Sequence, residues 1–91
     1  MGTPFRQVAD FDALEKAGDG YFVGDPPGRL SFNCPCGCGV LAGISLKPAV
    51  PNGWEWNGDR DKPDCNPSIL IKNGTGEHWH GYLRNGIFES C

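Results

Sequence analysis

The chain has 91 residues and a formal net charge of −3, from 8 Lys and Arg against 11 Asp and Glu. A chain this short forms one domain, here residues 1–91, and buries only about 60% of its unfolded surface, so its hydrophobic core alone is marginal. The basic residues are scattered singly, which disfavours binding to the phosphate backbone of a nucleic acid. No secretory signal and no apolar stretch of transmembrane length occur, so we expect a cytoplasmic protein that contacts no membrane.

The predicted elements describe a loop-rich, mainly β, antiparallel domain with one short N-terminal helix. Asp10 is a good N-cap, apolar residues follow at helical spacing and Gly18 could cap the other end, which predicts a helix at residues 11–17. Apolar alternation and short apolar runs predict strands further along. These lie at residues 21–23, 30–32, 40–46 and 68–72. The segment 47–67 holds four prolines and is predicted to be a long connection.

A β-hairpin is predicted near the C-terminus. Asn85-Gly86 between two apolar arms favours a two-residue type I′ turn. With that turn His80 would lie opposite Cys91, on one face of the hairpin. A three-residue loop would instead set Cys91 opposite Trp79.

Three cysteines, Cys34, Cys36 and Cys38, are crowded into one short segment with a proline and two glycines. This segment cannot be regular structure, and its thiolates are soft ligands of the kind that zinc prefers. Five cysteines cannot pair off, and a cytoplasmic setting disfavours disulfides. We therefore predict a Zn²⁺ site that stabilises the domain, although a cysteine-rich site can also hold iron.

The predicted ligands are four residues drawn from a set of five: Cys34, Cys36, Cys38, His80 and Cys91. His78 could replace His80 as the histidine ligand. Cys65, alone in the proline-rich segment, is expected to be a buried core thiol.

Two tryptophans, Trp54 and Trp56, would lie on the same side of an extended segment. One hypothesis is an exposed aromatic platform that binds a partner protein, because Trp is enriched in binding hot spots. The other is that the two rings supply hydrophobic mass to a small core, which we favour for at least one of them.

A family resemblance rests on several short motifs between residues 30 and 91: Phe32-Asn33-Cys34-Pro35-Cys36-Gly37-Cys38-Gly39, Trp54-Glu55-Trp56-Asn57-Gly58-Asp59, Lys62-Pro63, Pro67-Ser68-Ile69-Leu70 and Trp79-His80-Gly81-Tyr82-Leu83-Arg84-Asn85-Gly86. In these the chain resembles a family of small proteins of unknown function, common in bacteriophages and prophages and often labelled ammonia monooxygenase. The resemblance implies a compact, mainly β, zinc-binding domain in a bacterial host cell, and it favours His80 over His78.

The function expected from the sequence is that of a phage-type accessory protein with a structural metal, which binds a host or phage protein. A thiolate-rich site is typically closed, so this interpretation is favoured over an enzyme and no catalytic residue is assigned. The alternative is a small zinc-dependent hydrolase or oxidoreductase with an open metal position, where Glu77 or Glu89 would be the base.

Overall fold

A computed structural model describes residues 2–72 and 77–90, without the side chains of Lys72, Glu77 and His78. Nine strands form two sheets, one of five strands in the order β1-β9-β8-β7-β6 and one of four in the order β2-β3-β4-β5. The strands are β1 Thr3–Pro4, β2 Arg6–Gln7, β3 Asp19–Gly24, β4 Pro27–Asn33, β5 Leu41–Ser45, β6 Glu55–Trp56, β7 Cys65–Lys72, β8 Glu77–Arg84 and β9 Ile87–Ser90. The mainly β class is confirmed, and no helix in the described residues is long and apolar enough to cross a membrane.

Two short segments join the sheets on either side of the core. At the N-terminus, β1 pairs with β9 while β2 pairs with β3, and Phe5 between them is buried. In the middle of the chain, Leu46 pairs with Trp54 while β6 pairs with β7. The sheets therefore enclose one core between them, and this core includes the thiols of Cys34 and Cys65. Its buried hydrophobic residues are Phe5, Leu30, Phe32, Cys34, Ile44, Leu46, Cys65, Ile69, Ile71, Leu83 and Phe88.

The strand pairs are antiparallel, as expected, with two exceptions: β2 runs parallel to β3, and Leu46 pairs in parallel with Trp54. Both parallel contacts involve the joining segments, which must leave one sheet and enter the other. The predicted connection at 47–67 likewise contains β6 and the first residues of β7. Prolines do not exclude these strands, because β6 contains none and β7 is irregular at Pro67.

The predicted hairpin is confirmed. Arg84 pairs with Ile87, and Gly81 with Ser90. Asn85 and Gly86 have φ values of 50° and 76°, as a type I′ turn requires. The predicted pairing of His80 with Cys91 stays a prediction, because Cys91 lies outside the described residues.

The predicted helix at 11–17 is wrong: a single 3₁₀ turn, Phe11–Ala13, stands in its place. Asp10 does cap this turn by accepting a hydrogen bond from the Ala13 N–H at 3.2 Å. The turn does not extend because the Asp19 carboxylate accepts the N–H groups of Glu15 and Lys16, at 3.0 and 2.8 Å. Phe11 is exposed, so no apolar stripe offsets the cost of nucleating a helix.

An ion pair between the exposed Arg6 and the buried Asp19 fixes this N-terminal region to β3. The Arg6 guanidinium donates to both carboxylate oxygens of Asp19, at 2.9 and 2.6 Å, and Asp19 is 1% exposed. The hydrogen bonds from Arg6 hold the pKa of Asp19 well below its usual range, despite the opposing effect of burial.

Candidate functional site

The three clustered cysteines lie in the turn between β4 and β5. Their sulfur atoms all lie within 4.8 Å of one another, and Cys34 Sγ is 3.3 Å from Cys36 Sγ. Gly37 and Gly39 have φ values of 86° and 85°, a left-handed backbone that glycine adopts without strain. Three thiols this close could bind a metal ion together, with Cys34 buried and the other two exposed.

Two thiols of this chain, those of Cys34 and Cys65, are buried, and burial has the same effect on both. It raises the pKa of the Cys34 thiol to about 12, with the neighbouring Cys36 and Cys38 adding smaller effects. It also raises the pKa of Cys65 to about 12, and the charge of Asp64 adds to this. Cys65 is fully buried in the core, as predicted, and is not part of the cysteine group among the described residues.

His80, the predicted histidine ligand, makes a different contact. Its Nε2 atom lies 3.0 Å from the hydroxyl oxygen of Ser68. Among the described residues, the group of potential metal ligands contains the three cysteines and not His80. Cys91 and the side chain of His78 lie outside the described part of the chain, so the fourth ligand stays a prediction.

Strand pairing explains how Ser68 and His80 meet. On β7, Ser68 and Leu70 alternate with the buried Ile69 and Ile71, so they lie on the outer face of the sheet. Leu70 pairs with His80, and the ring therefore reaches diagonally back to Ser68 on that same face. Both side chains are half-buried, so part of each is exposed to solvent.

The strand is irregular just where Ser68 stands. Cys65 pairs with Leu83 and Ile69 pairs with Gly81, so β7 advances four positions while β8 advances two. Such a bulge inserts unpaired residues and re-aims side chains, and bulges are over-represented next to active sites.

A serine hydroxyl within hydrogen-bond reach of an imidazole nitrogen is the arrangement of an activated nucleophile and its general base. When the imidazole proton is on Nδ1, Nε2 accepts the Ser68 hydroxyl proton. The chain has four serines, and Ser31 in the same structure meets Arg29 instead, at 3.3 Å.

The two tryptophans are half-buried and pack against the core, as we expected for at least one of them, and their role in binding a partner stays a prediction. Trp56 stacks on Phe22 with the ring centroids 5.0 Å apart. The Trp54 indole N–H points at the backbone of Pro67 and Ser68, at 3.1 and 3.3 Å from their carbonyl oxygens.

Comparison with protein families places this geometry in context. The model of a family described as "Bacterial ubiquitination-like system serine protease (BubE)" matches residues 7–91. The chain belongs to the BubE family. Comparison with the curated proteins found no match, and comparison with the solved structures found none either.

The BubE match corrects two expectations. The resemblance to phage and prophage proteins of unknown function is wrong, because all the motifs that suggested it lie within the range matched by a serine protease family. The accessory module that acts by protein–protein interaction is wrong for the same reason. The hydrolase alternative is better supported, although the family description assigns the chemistry to a serine and not to a metal.

The sequence analysis missed Ser68. The G-x-S-x-G signature of many serine hydrolases does not occur in this chain, and Pro67-Ser68-Ile69 carries no chemical signal by itself. The available signal was the combination of two motifs: Ser68 and His80 both stood in motifs that carried the resemblance, on segments predicted to be strands.

Proposed function

We propose that this BubE-family protein is a serine peptidase in which Ser68 is the nucleophile and His80 the general base. The observation that carries the proposal is the 3.0 Å contact between Ser68 Oγ and His80 Nε2. Its position supports the assignment, because both side chains lie on the outer face of a sheet whose inner face is packed into the core.

The pair would act by acyl transfer. Ser68 Oγ attacks the substrate carbonyl carbon while His80 Nε2 takes the hydroxyl proton. The imidazolium then gives this proton to the leaving amine as the C–N bond breaks, which leaves an ester on Ser68. Water, deprotonated by His80, attacks this ester and releases the acid with Ser68 restored.

The family description names a ubiquitination-like system. The proposed substrate is therefore a peptide or isopeptide bond in a protein of such a system, and the proposed location is the bacterial cytoplasm. The protein partner expected from the sequence becomes, on this proposal, the substrate.

We further propose that the cysteine loop holds a structural Zn²⁺ ion, which supplies stability and takes no part in the acyl transfer. The three thiols fit such an ion by their softness and their spacing. His80 is occupied by Ser68 on this proposal, so the predicted ligand set narrows to Cys34, Cys36, Cys38 and Cys91.

A serine-selective fluorophosphonate probe tests the nucleophile. We expect one covalent adduct on the folded protein, which peptide mapping by mass spectrometry assigns to Ser68. Ser68→Ala should abolish labelling, and His80→Gln should slow it by about 10²–10⁴-fold, the usual worth of a general base.

Ser45→Ala is the matched control, since Ser45 lies on β5, in the other sheet, and should label at the wild-type rate. Labelling of another serine, or full labelling of folded Ser68→Ala, would sink the assignment.

A further inference from the structure

The indole of Trp54 contacts the backbone that carries the proposed nucleophile. Its Nε1–H donates to the carbonyl oxygen of Pro67 at 3.1 Å and to that of Ser68 at 3.3 Å. Trp54 thus contacts the peptide groups on both sides of Ser68, and its ring packs against the core.

These two hydrogen bonds match the irregular backbone of β7. In an extended strand, successive carbonyl groups point to opposite edges, so one donor cannot reach both. Here two successive carbonyls face one indole N–H, which requires the backbone to leave the regular strand at Ser68. The contact therefore stabilises the bulge between Cys65 and Ile69.

Trp54 is itself fixed to the opposite sheet. Its backbone N–H donates to Ser45 at 2.7 Å, and its carbonyl accepts from Lys47 at 3.0 Å. The preceding Gly53 makes this approach possible, because a Cβ atom there would lie only 2.7 Å from the Ser45 carbonyl oxygen. The four-stranded sheet therefore fixes Trp54, and the Trp54 indole in turn donates to the backbone at Ser68.

We propose that Trp54 is a positioning residue that keeps Ser68 aligned with His80, an inference that rests on the proposed function. Without the indole N–H, both carbonyls lose their donor and the bulge is free to relax toward a regular strand. The Ser68 hydroxyl then moves relative to the imidazole, and a displacement of about 1 Å can cost about 10²-fold in rate.

Replacement of each tryptophan by phenylalanine tests this role. Trp56→Phe is the matched control, because its indole N–H donates to the Asp59 carbonyl oxygen at 3.1 Å, in an exposed loop. The readouts are fluorophosphonate labelling of Ser68, and kcat and KM for p-nitrophenyl acetate after subtraction of the Ser68→Ala rate. We expect Trp54→Phe to lower kcat and the labelling rate by about 10–100-fold with KM unchanged, and Trp56→Phe to lower neither by more than about twofold.

A variant that keeps the ring shape controls for loss of folding as the cause of a lower rate. 3-Benzothienylalanine, incorporated at position 54 alone, retains the bicyclic ring and lacks the N–H donor. It should reproduce the loss of kcat with a melting temperature close to wild type.

Three outcomes would overturn the positioning role. Equal rates for the position-54 and position-56 variants would overturn it and leave the proposed function standing. A full rate in the benzothienyl variant would do the same. Absence of Ser68 labelling in the wild-type protein would overturn both proposals together.

Discussion

The cysteine loop and the Ser68–His80 pair are both small clusters of reactive side chains, but they are assembled in different ways. The loop draws three thiols from one tight turn, in which Cys34 and Cys38 are four positions apart. The pair draws two residues from neighbouring strands, brought together by a ladder and a bulge. The loop is therefore visible in the sequence, whereas the pair exists only once the sheet has formed.

This difference suggests a division of roles. The loop joins the end of β4 to the start of β5 and contributes the fully buried Cys34 to the core, so its loss should damage the fold. The Ser68–His80 pair lies on the outer face of the sheet, so its loss should damage chemistry and leave the fold intact. The following predictions test this division, from the largest expected effect to the smallest.

Removal of the proposed Zn²⁺ ion should have the largest effect. In zinc-finger peptides, the binding of structural zinc contributes about 10–16 kcal/mol to folding. We therefore expect excess chelator to abolish the cooperative thermal transition measured by circular dichroism, with loss of zinc verified by native mass spectrometry. Ser68→Ala should keep both the metal and the wild-type melting temperature, and a cooperative transition in verified metal-free protein would refute the structural role.

Asp19→Asn should destabilise the protein without involving either cluster. It removes the carboxylate that accepts two hydrogen bonds from Arg6, which we expect to cost about 2 kcal/mol in urea unfolding. Because the folded-state pKa of Asp19 is lowered, its contribution to stability is present above about pH 4 and is lost as the pH falls further.

Asp12→Asn provides the comparison, since Asp12 is exposed. If both variants show the same acid dependence of the free energy of unfolding, the Arg6–Asp19 ion pair does not stabilise the fold as described.

Cys65→Ala should have the smallest effect, and it tests whether the Cys65 thiol belongs to the core or to the cysteine cluster. We expect a loss of about 1 kcal/mol from the vacated volume, with the metal content unchanged. Burial raises the pKa of Cys65 to about 12, whereas an unfolded thiol titrates near pH 8.5. Its stabilising contribution is therefore present below that pH and declines above it by about 1.4 kcal/mol per pH unit.

Urea unfolding of the metal-loaded protein at pH 8 and pH 10 measures this decline. The variant should lose less stability than the wild type between these two values. Loss of zinc from Cys65→Ala would show instead that Cys65 belongs to the metal site.

Short sequence patterns correctly predicted the elements whose conformation depends only on residues nearby in the chain. Asn85-Gly86 defined the turn and the register of its hairpin, because both positions need positive φ. The helix at 11–17 failed because its competitor, the Asp19 carboxylate, lies beyond the helical pattern. Ser68 was missed because its partner is set by an irregular ladder, and the alternation of side chains predicts no bulge.

The pairing of Thr3 with Phe88 has a consequence for the order of folding. This contact closes a loop that contains almost the whole chain, and the entropy of loop closure must be overcome before the contact gives any stability. The β7–β8 hairpin and the cysteine loop close far shorter loops, so they can form while the N-terminal strands are still unpaired. The first residues of the chain would then be among the last to reach their native positions, after Ser68 and His80 have already met.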